Sequence, residues 1–242
     1  MTTRILLVRH GATVLSAEDR FAGSTDVKLS NDGRRQAAGL AERLSTLKLA
    51  AVYASPMHRT VETATIAARP HGIKPQLDAG LREIDHGHWE GMRRDEVEAA
   101  YPNEFSAWEQ DPFTFAPAGG ESGLNVLARA LPVIREIVLA HLDQTILVVS
   151  HKATIRLLIS SLLGFDARGY RDRLDQHPCC LNILDFRGPV RARLMLFNDV
   201  SHYEDMPELT MQQHLSKWWS DGDQTQWARV AADADEDVEV GG

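Results

Sequence analysis

Cysteine is almost missing from this 242-residue chain; the only two, Cys179 and Cys180, are adjacent. Neighbouring cysteines cannot staple distant segments, and no Cys-x-x-Cys spacing exists for zinc or dithiol chemistry, so both are expected to pack as small apolar groups. Long apolar runs are missing too: none approaches the roughly 18 residues of a membrane span. The opening stretch is broken by Arg4 and by Arg9-His10, which leaves neither the apolar heart nor the cleavage site of a signal peptide. A cytoplasmic protein that makes no membrane contact is the expectation. The chain also lacks the basic stripe that nucleic acid requires. Its net charge is −8, but residues 221–242 alone carry seven acids against Arg229, so 1–220 stands near neutrality at −2. No internal repeat and no dividing linker occur. What is present, 43% apolar and 25% charged residues, suffices for one domain over 1–222, followed by an acidic tail over 223–242 expected to be disordered.

Ile5-Leu6-Leu7-Val8 is wholly apolar and ends in charge, the pattern of a strand buried on both faces. After Gly11 and Gly23, Ser30 and Asn31 offer caps to a helix whose apolar positions run from Ala37 to Leu47. Residues 51–55 read as a second strand, with Pro56 opening a helix that stops at Pro70. Between 84 and 121 the pattern weakens into Trp89, Trp108, Phe113 and Phe115 among Gly, Pro and charges, which suggests an excursion over one end of the sheet. A helix from Leu124 to Leu142 containing Pro132, a strand over 145–149, a helix from Ala153 to Leu163 and a strand pair over 181–186 and 191–197 complete the reading. Alternating strands and helices imply an α/β fold with a mostly parallel sheet.

Two segments share a shape: strand 5–8 leads into Arg9-His10-Gly11, and strand 146–149 into Ser150-His151. Ligands in open α/β sheets bind at the carboxyl ends of strands, so both imidazoles are expected to face one pocket. Arg59 sits one turn into the helix after the second strand, and Arg is the side chain suited to planar, bidentate recognition of phosphate or carboxylate. Helix starts near 56 and 153 are expected to add backbone N–H donors. An ion pair between Arg59 and Glu62 is the plainer alternative. Two Arg, two His and helix N-termini describe a phosphate pocket.

These residues stand in a wider pattern. Arg9-His10-Gly11-Ala12-Thr13 with 21–30, Ser55-Pro56-Met57-His58-Arg59-Thr60, Leu81-Arg82-Glu83-Ile84-Asp85 to Glu90-Gly91, Gly119-Gly120-Glu121-Ser122 and Ser150-His151 to Arg156 follow one another in order. Together they resemble the histidine phosphatase superfamily, which includes cofactor-dependent phosphoglycerate mutases, over roughly residues 4–200. The resemblance implies a three-layer α/β/α, phosphoglycerate mutase-like domain and a phosphohistidine mechanism without cofactor or metal. His10 resembles the nucleophile; Arg9, Arg59 and His151 resemble the groups that hold the phosphoryl oxygens; Glu83 resembles the general acid and base. Thr13, Ser16, Gly23, Ser24, Lys152, His86 and His202 are the residues expected to touch substrate.

Two departures and two further motifs bear on the site. Ser16 stands where many members carry Asn. Lys152-Ala153 follow the second histidine in place of two glycines, and the Lys152 ammonium is expected to reach a second acidic group on the substrate, with a solvent-facing lysine as the alternative. Asp85-His86-Gly87-His88 has a His-x-His spacing but lacks the further ligands of a hydrolytic metal site, which favours His86 or His88 as a substrate-facing residue. Asn198 to His202 either closes over the pocket or forms an exposed turn. The reading is a phosphatase acting on a small phosphomonoester, with a homodimer left open. A mutase is the nearest alternative, and a non-catalytic phosphate-binding protein on the same fold is the alternative from another class. The excursion does not identify the substrate.

Overall fold

The computed structural model describes residues 2–14 and 20–206. Ser16 and the acidic tail lie outside them. Strand β1 (Thr3–Arg9), helix α1 (Asn31–Leu44), β2 (Leu49–Ala54), α2 (His58–Ala67) and the two-residue β3 (Gln76–Leu77) come first. The excursion holds α3 (Arg94–Ala100) and α4 (Pro102–Gln110); then follow α5 (Gly123–Ala140), β4 (Thr145–Ser150), α6 (Lys152–Leu163), α7 (Tyr170–Arg173), β5 (Leu181–Phe186) and β6 (Ala192–Asp199).

The sheet order is β3-β2-β4-β1-β5-β6. The four strands from β3 to β1 pair in parallel, and β5 and β6 add an antiparallel flank. β1 and β2 are not neighbours, because β4, far along the chain, inserts between them. Local pattern carries no information about that insertion, since any buried apolar strand can accept the same parallel partner.

Alternation along β1 explains the layering, since successive side chains leave opposite faces of a strand. Leu6 and Val8 pack with Ala37, Leu40 and Leu44 of α1 and Ala64 of α2. Ile5 and Leu7 pack with Ile134 and Val138 of α5 and Ile155 and Leu158 of α6 on the other face. The result is a three-layer domain. Ser30 caps α1, accepting from the Gly33 amide at 3.1 Å, as its sequence suggests. Helix α2 begins two residues later than Pro56, at His58, and α6 closes on Gly164 in the left-handed conformation, φ 73°. In the excursion Trp89, Val97, Phe105 and Trp108 form a separate apolar cluster.

Candidate active site

Strand register brings the two histidines together. Arg9 pairs with Ser150 across β1 and β4, so His10 and His151 leave neighbouring carboxyl ends. The His10 amide donates to the Ser150 carbonyl at 3.0 Å, and the Cys179 amide donates to the His10 carbonyl at 3.0 Å. The imidazoles meet edge to face with centroids 5.2 Å apart. Below them a close approach of two backbones requires glycine: a Cβ on Gly11 would stand 2.5 Å from the Gly33 oxygen.

His10 Nδ1 donates to the Gly11 carbonyl at 2.8 Å. In the neutral ring that bond leaves the Nε2 lone pair free. Burial, with Arg59 and Arg9 adding to it, holds the His10 imidazole well below its usual range, so it stands neutral at neutral pH. Burial, Arg59 and His10 do the same to His151. His151 Nδ1 accepts from Arg59 Nε at 3.2 Å and its Nε2 donates to Ser55 Oγ at 2.8 Å, so both ring nitrogens are engaged. To donate to a phosphoryl oxygen, His151 must exchange the Ser55 contact.

Arg59 is 2% exposed, and Glu62 pairs instead with Arg34, at 2.6 Å. Its Nη1 and Nη2 donate to the Thr25 and Gly23 carbonyls at 2.8 and 2.9 Å. One hydrogen on each terminal nitrogen remains for an anion. Arg9 Nη1 donates to the Gln176 carbonyl at 2.6 Å, and its Nε is buried without a hydrogen-bond partner among the described residues. Arg59 is therefore buried, and Arg9 half-buried, on neutral hydrogen-bond partners, an arrangement that favours an incoming dianion.

Glu83 sits at the start of α6. Its Oε1 accepts from the Ile84 and Thr154 amides at 3.1 and 3.2 Å, and its Oε2 from the Ala153 amide at 3.1 Å. This corrects the expectation that the helix start near 153 offers its amides to substrate, because a carboxylate of the chain already takes them. The start of α2 is filled likewise: Asp26 accepts from the His58 amide at 2.8 Å. An amide row at a helix N-terminus attracts the nearest carboxylate as readily as a ligand. The Glu83 segment is held by Ser150 Oγ, which donates to Leu81 O at 2.8 Å, and by Arg129, which donates to the carbonyls of Gly80, Arg82 and Glu83 and pairs with Glu121 at 2.8 Å.

One contributor that sequence reasoning missed is Glu90. Its Oε1 accepts from the Gly23, Ser24 and His86 amides at 2.9 to 3.0 Å, and its Oε2 from Thr25 Oγ1 at 2.7 Å. Burial pulls this carboxyl upward, but those donors outweigh it and hold it below the usual range. Glu90 thus fixes the loop whose carbonyls aim Arg59. At the crossing, a Cβ on Gly23 would fall 1.8 Å from the Ile84 oxygen.

Ser24 and Glu83 line a cleft of about 350 Å³ with Asp26, Pro56, Met57, Arg82, Asp85, Gly119 and Glu121. Thr13 is buried, bridged to Leu29. His86 packs on Phe21 with ring centroids 4.8 Å apart, near Glu90 and Glu83, and burial lowers its basicity. His88 is spent inside the excursion, on the Ala118 carbonyl at 3.0 Å and Glu104 at 3.2 Å. Among the described residues neither histidine meets the partners of a three-ligand metal site. His202 is not brought to the cluster: its Nδ1 lies 3.4 Å from Arg43 and its ring packs on Tyr203. The run from Asn198 is tied to α1, where Asp199 pairs with Arg43 of that helix. Lys152 Nζ stands 4.0 Å from Asp175, not in open solvent. Among the described residues no helix is long and apolar enough to cross a membrane.

Residues 5–200 match the family model of the histidine phosphatase superfamily, branch 1. The chain belongs to the histidine phosphatase superfamily. Phosphoserine phosphatase 1 of Hydrogenobacter thermophilus is 36% identical over 163 residues, 67% of this chain and 77% of that protein. Glucosyl-3-phosphoglycerate phosphatase of Mycolicibacterium vanbaalenii is 36% identical over 168 residues, 66% of this chain and 74% of its own length. Among solved structures, Bacillus stearothermophilus YhfR superposes with a TM-score of 0.78 at 32% identity, covering 83% of this chain and 98% of that one. The histidine phosphatase fold is phosphoglycerate mutase-like, as the sequence suggests.

Proposed function

We propose that the chain is a phosphoric monoester hydrolase that cleaves small phosphomonoesters through a phosphohistidine on His10. Membership of the superfamily and the phosphatase names of its relatives support the reaction class. The mechanism rests most heavily on one observation: His10 Nδ1 is tied to the Gly11 carbonyl, which leaves Nε2 as the nucleophile beside a buried Arg59 and a half-buried Arg9. In the first half-reaction Nε2 forms a bond to phosphorus as the bond to the leaving oxygen breaks. Arg9 and Arg59 neutralise the equatorial oxygens, the main requirement of a loose phosphoryl transition state. Protonated Glu83 gives its proton to the leaving alkoxide. We assign that proton to Oε2, which accepts one amide, against the fuller load on Oε1. In the second half-reaction Glu83 takes a proton from water as the water oxygen bonds to phosphorus and the His10 bond breaks.

The leaving-group side is the cleft lined by Ser24, Arg82, Glu83 and Asp85, whose volume suits a small metabolite. Glu83→Gln is the test. Hydrolysis of alkyl phosphates is expected to fall by about 10²- to 10⁴-fold, the usual value of a positioned acid, and that of p-nitrophenyl phosphate far less, because nitrophenolate leaves without a proton. Equal losses on both esters would remove Glu83 from this role.

A further inference from the structure

A second group of cations lies beyond the phosphoryl cluster, at the first turn of α6. Lys152 occupies its first position and Arg156 lies one turn on. Arg156 Nη2 donates to Asp175 Oδ1 at 3.1 Å, and Lys152 Nζ lies 4.0 Å from that same oxygen. Arg156 is 8% exposed and its Nε is buried with no hydrogen-bond partner among the described residues. One carboxylate thus serves two cations, with Arg9 close enough to repel both. Asp175 is itself half exposed, its side chain retaining 39% of its surface, and so is within reach of solvent and ligand. The Lys152 backbone lies between His151 and Ala153, whose amide holds Glu83, and both cations of the cluster are close enough to feel the Glu83 charge.

We propose that Lys152 and Arg156 form a subsite for a carboxylate carried by the alcohol portion of the substrate, and that Asp175 is the internal carboxylate that fills this subsite until such a substrate displaces it. The subsite already hosts a carboxylate of the chain between an ammonium and a guanidinium, the chemistry by which a substrate carboxylate would be held. It rests on the phosphatase reading above and adds a substrate class to it: monoesters bearing an acid group near the phosphate.

Protonation makes the subsite sensitive to pH. Burial, with Arg156 of α6 and Arg9 of β1 adding to it, lowers the Lys152 ammonium to about 7, against the opposing pull of Asp175 and Glu83. Burial acts upward on Asp175, but Lys152, the Gln176 amide, Arg156 and His177 outweigh it and hold this carboxyl below the usual range. The cation therefore fades as pH rises through about 7 while its internal partner stays ionised.

Phosphoglycolate and ethyl phosphate differ by one carboxylate and form the probe pair, read as the ratio of their kcat/KM values. Lys152→Met is expected to lower that ratio by about 10- to 100-fold, the range of a charge-assisted contact. Asp175→Asn, which keeps an acceptor for Arg156 but removes the competing charge, is expected to raise it. The wild-type ratio is expected to fall between pH 6 and 8, and Lys152→Arg to hold it across that range. Opposite signs for the two variants are what a merely structural role would not produce. An unchanged ratio in Lys152→Met, or a fall in both Lys152→Met and Asp175→Asn, overturns the subsite while leaving hydrolysis of ethyl phosphate as support for the phosphatase reading. A wild type that hydrolyses neither ester overturns that reading, and the subsite falls with it.

Discussion

Arginine is used in two ways in this molecule, at the carboxyl edge of the sheet and in the excursion between 84 and 121. In the excursion, Arg94 pairs with Glu109 and lies 5.3 Å above the rings of Phe105 and Trp108. Arg171 reaches into it from α7, lying 4.4 Å above Trp108 and pairing with Asp172 at 2.9 Å and Glu109 at 3.3 Å. Those guanidiniums are neutralised by carboxylates and serve packing. At the sheet edge Arg9 and Arg59 donate to carbonyls and to a neutral imidazole instead. Burying a cation on neutral partners is costly, and the cost is offset when a dianion arrives. The difference separates a region organised for stability from one organised to receive a negative charge.

The comparison breaks most visibly at Trp108, which is 8% exposed and touches Phe21, Trp89, Phe105 and both cationic arginines. Trp108→Ala is expected to cost about 3–5 kcal/mol in urea unfolding, the usual value for a large aromatic removed from a packed cluster. Activity per folded molecule should survive; an equal loss of both would make this packing part of the site. Glu90→Gln attacks the junction. It keeps the shape but removes the charge that gathers the amides of residues 23–25, and the expected fall in kcat/KM is about 10²-fold through a displaced Arg59. A loss confined to thermal stability would reduce Glu90 to a scaffold.

Acid titration sharpens the contrast with the smallest effect per residue and pH unit. His10, His86 and His151 are held below their usual range chiefly by burial. Below about pH 6.5 the unfolded chain binds protons at these positions that the native protein refuses, so stability rises with pH and is lost on acidification. Each contributes at most about 1.4 kcal/mol per pH unit. Urea midpoints at pH 7, 6 and 5 should fall in that order, and His10→Gln should flatten the slope. A slope unchanged by that variant would mean that His10 protonates freely in the native state.

Strands β1 and β4 were readable as apolar runs because strands buried on both faces need no polar alternation, and the histidines that end them stood out for the same reason. Their adjacency was inferable only from the shared shape, since the insertion of β4 beside β1 depends on contacts remote in sequence. The motif residues Arg59 and Glu83 were visible by type and position, but their neighbours were not. Glu90 acts on residues more than 60 positions earlier, and Asp175 meets Lys152 only because the segment after α7 folds back. Helix starts misled for a physical reason: an exposed amide row is equally attractive to a ligand and to Asp26 or Glu83. β3, a two-residue edge, falls below what periodicity can reveal.

The proposed hydrolysis turns on a phosphoryl group carried by His10. Rapid base quench of the wild type with ³²P-labelled substrate, followed by peptide mapping at alkaline pH with an acid-treated control, tests it directly. The expected result is a base-stable, acid-labile label on the peptide containing His10, formed and lost fast enough to account for turnover and absent from His10→Ala. Turnover with no protein-bound phosphate at any time, or a label that persists in His10→Ala, would contradict it.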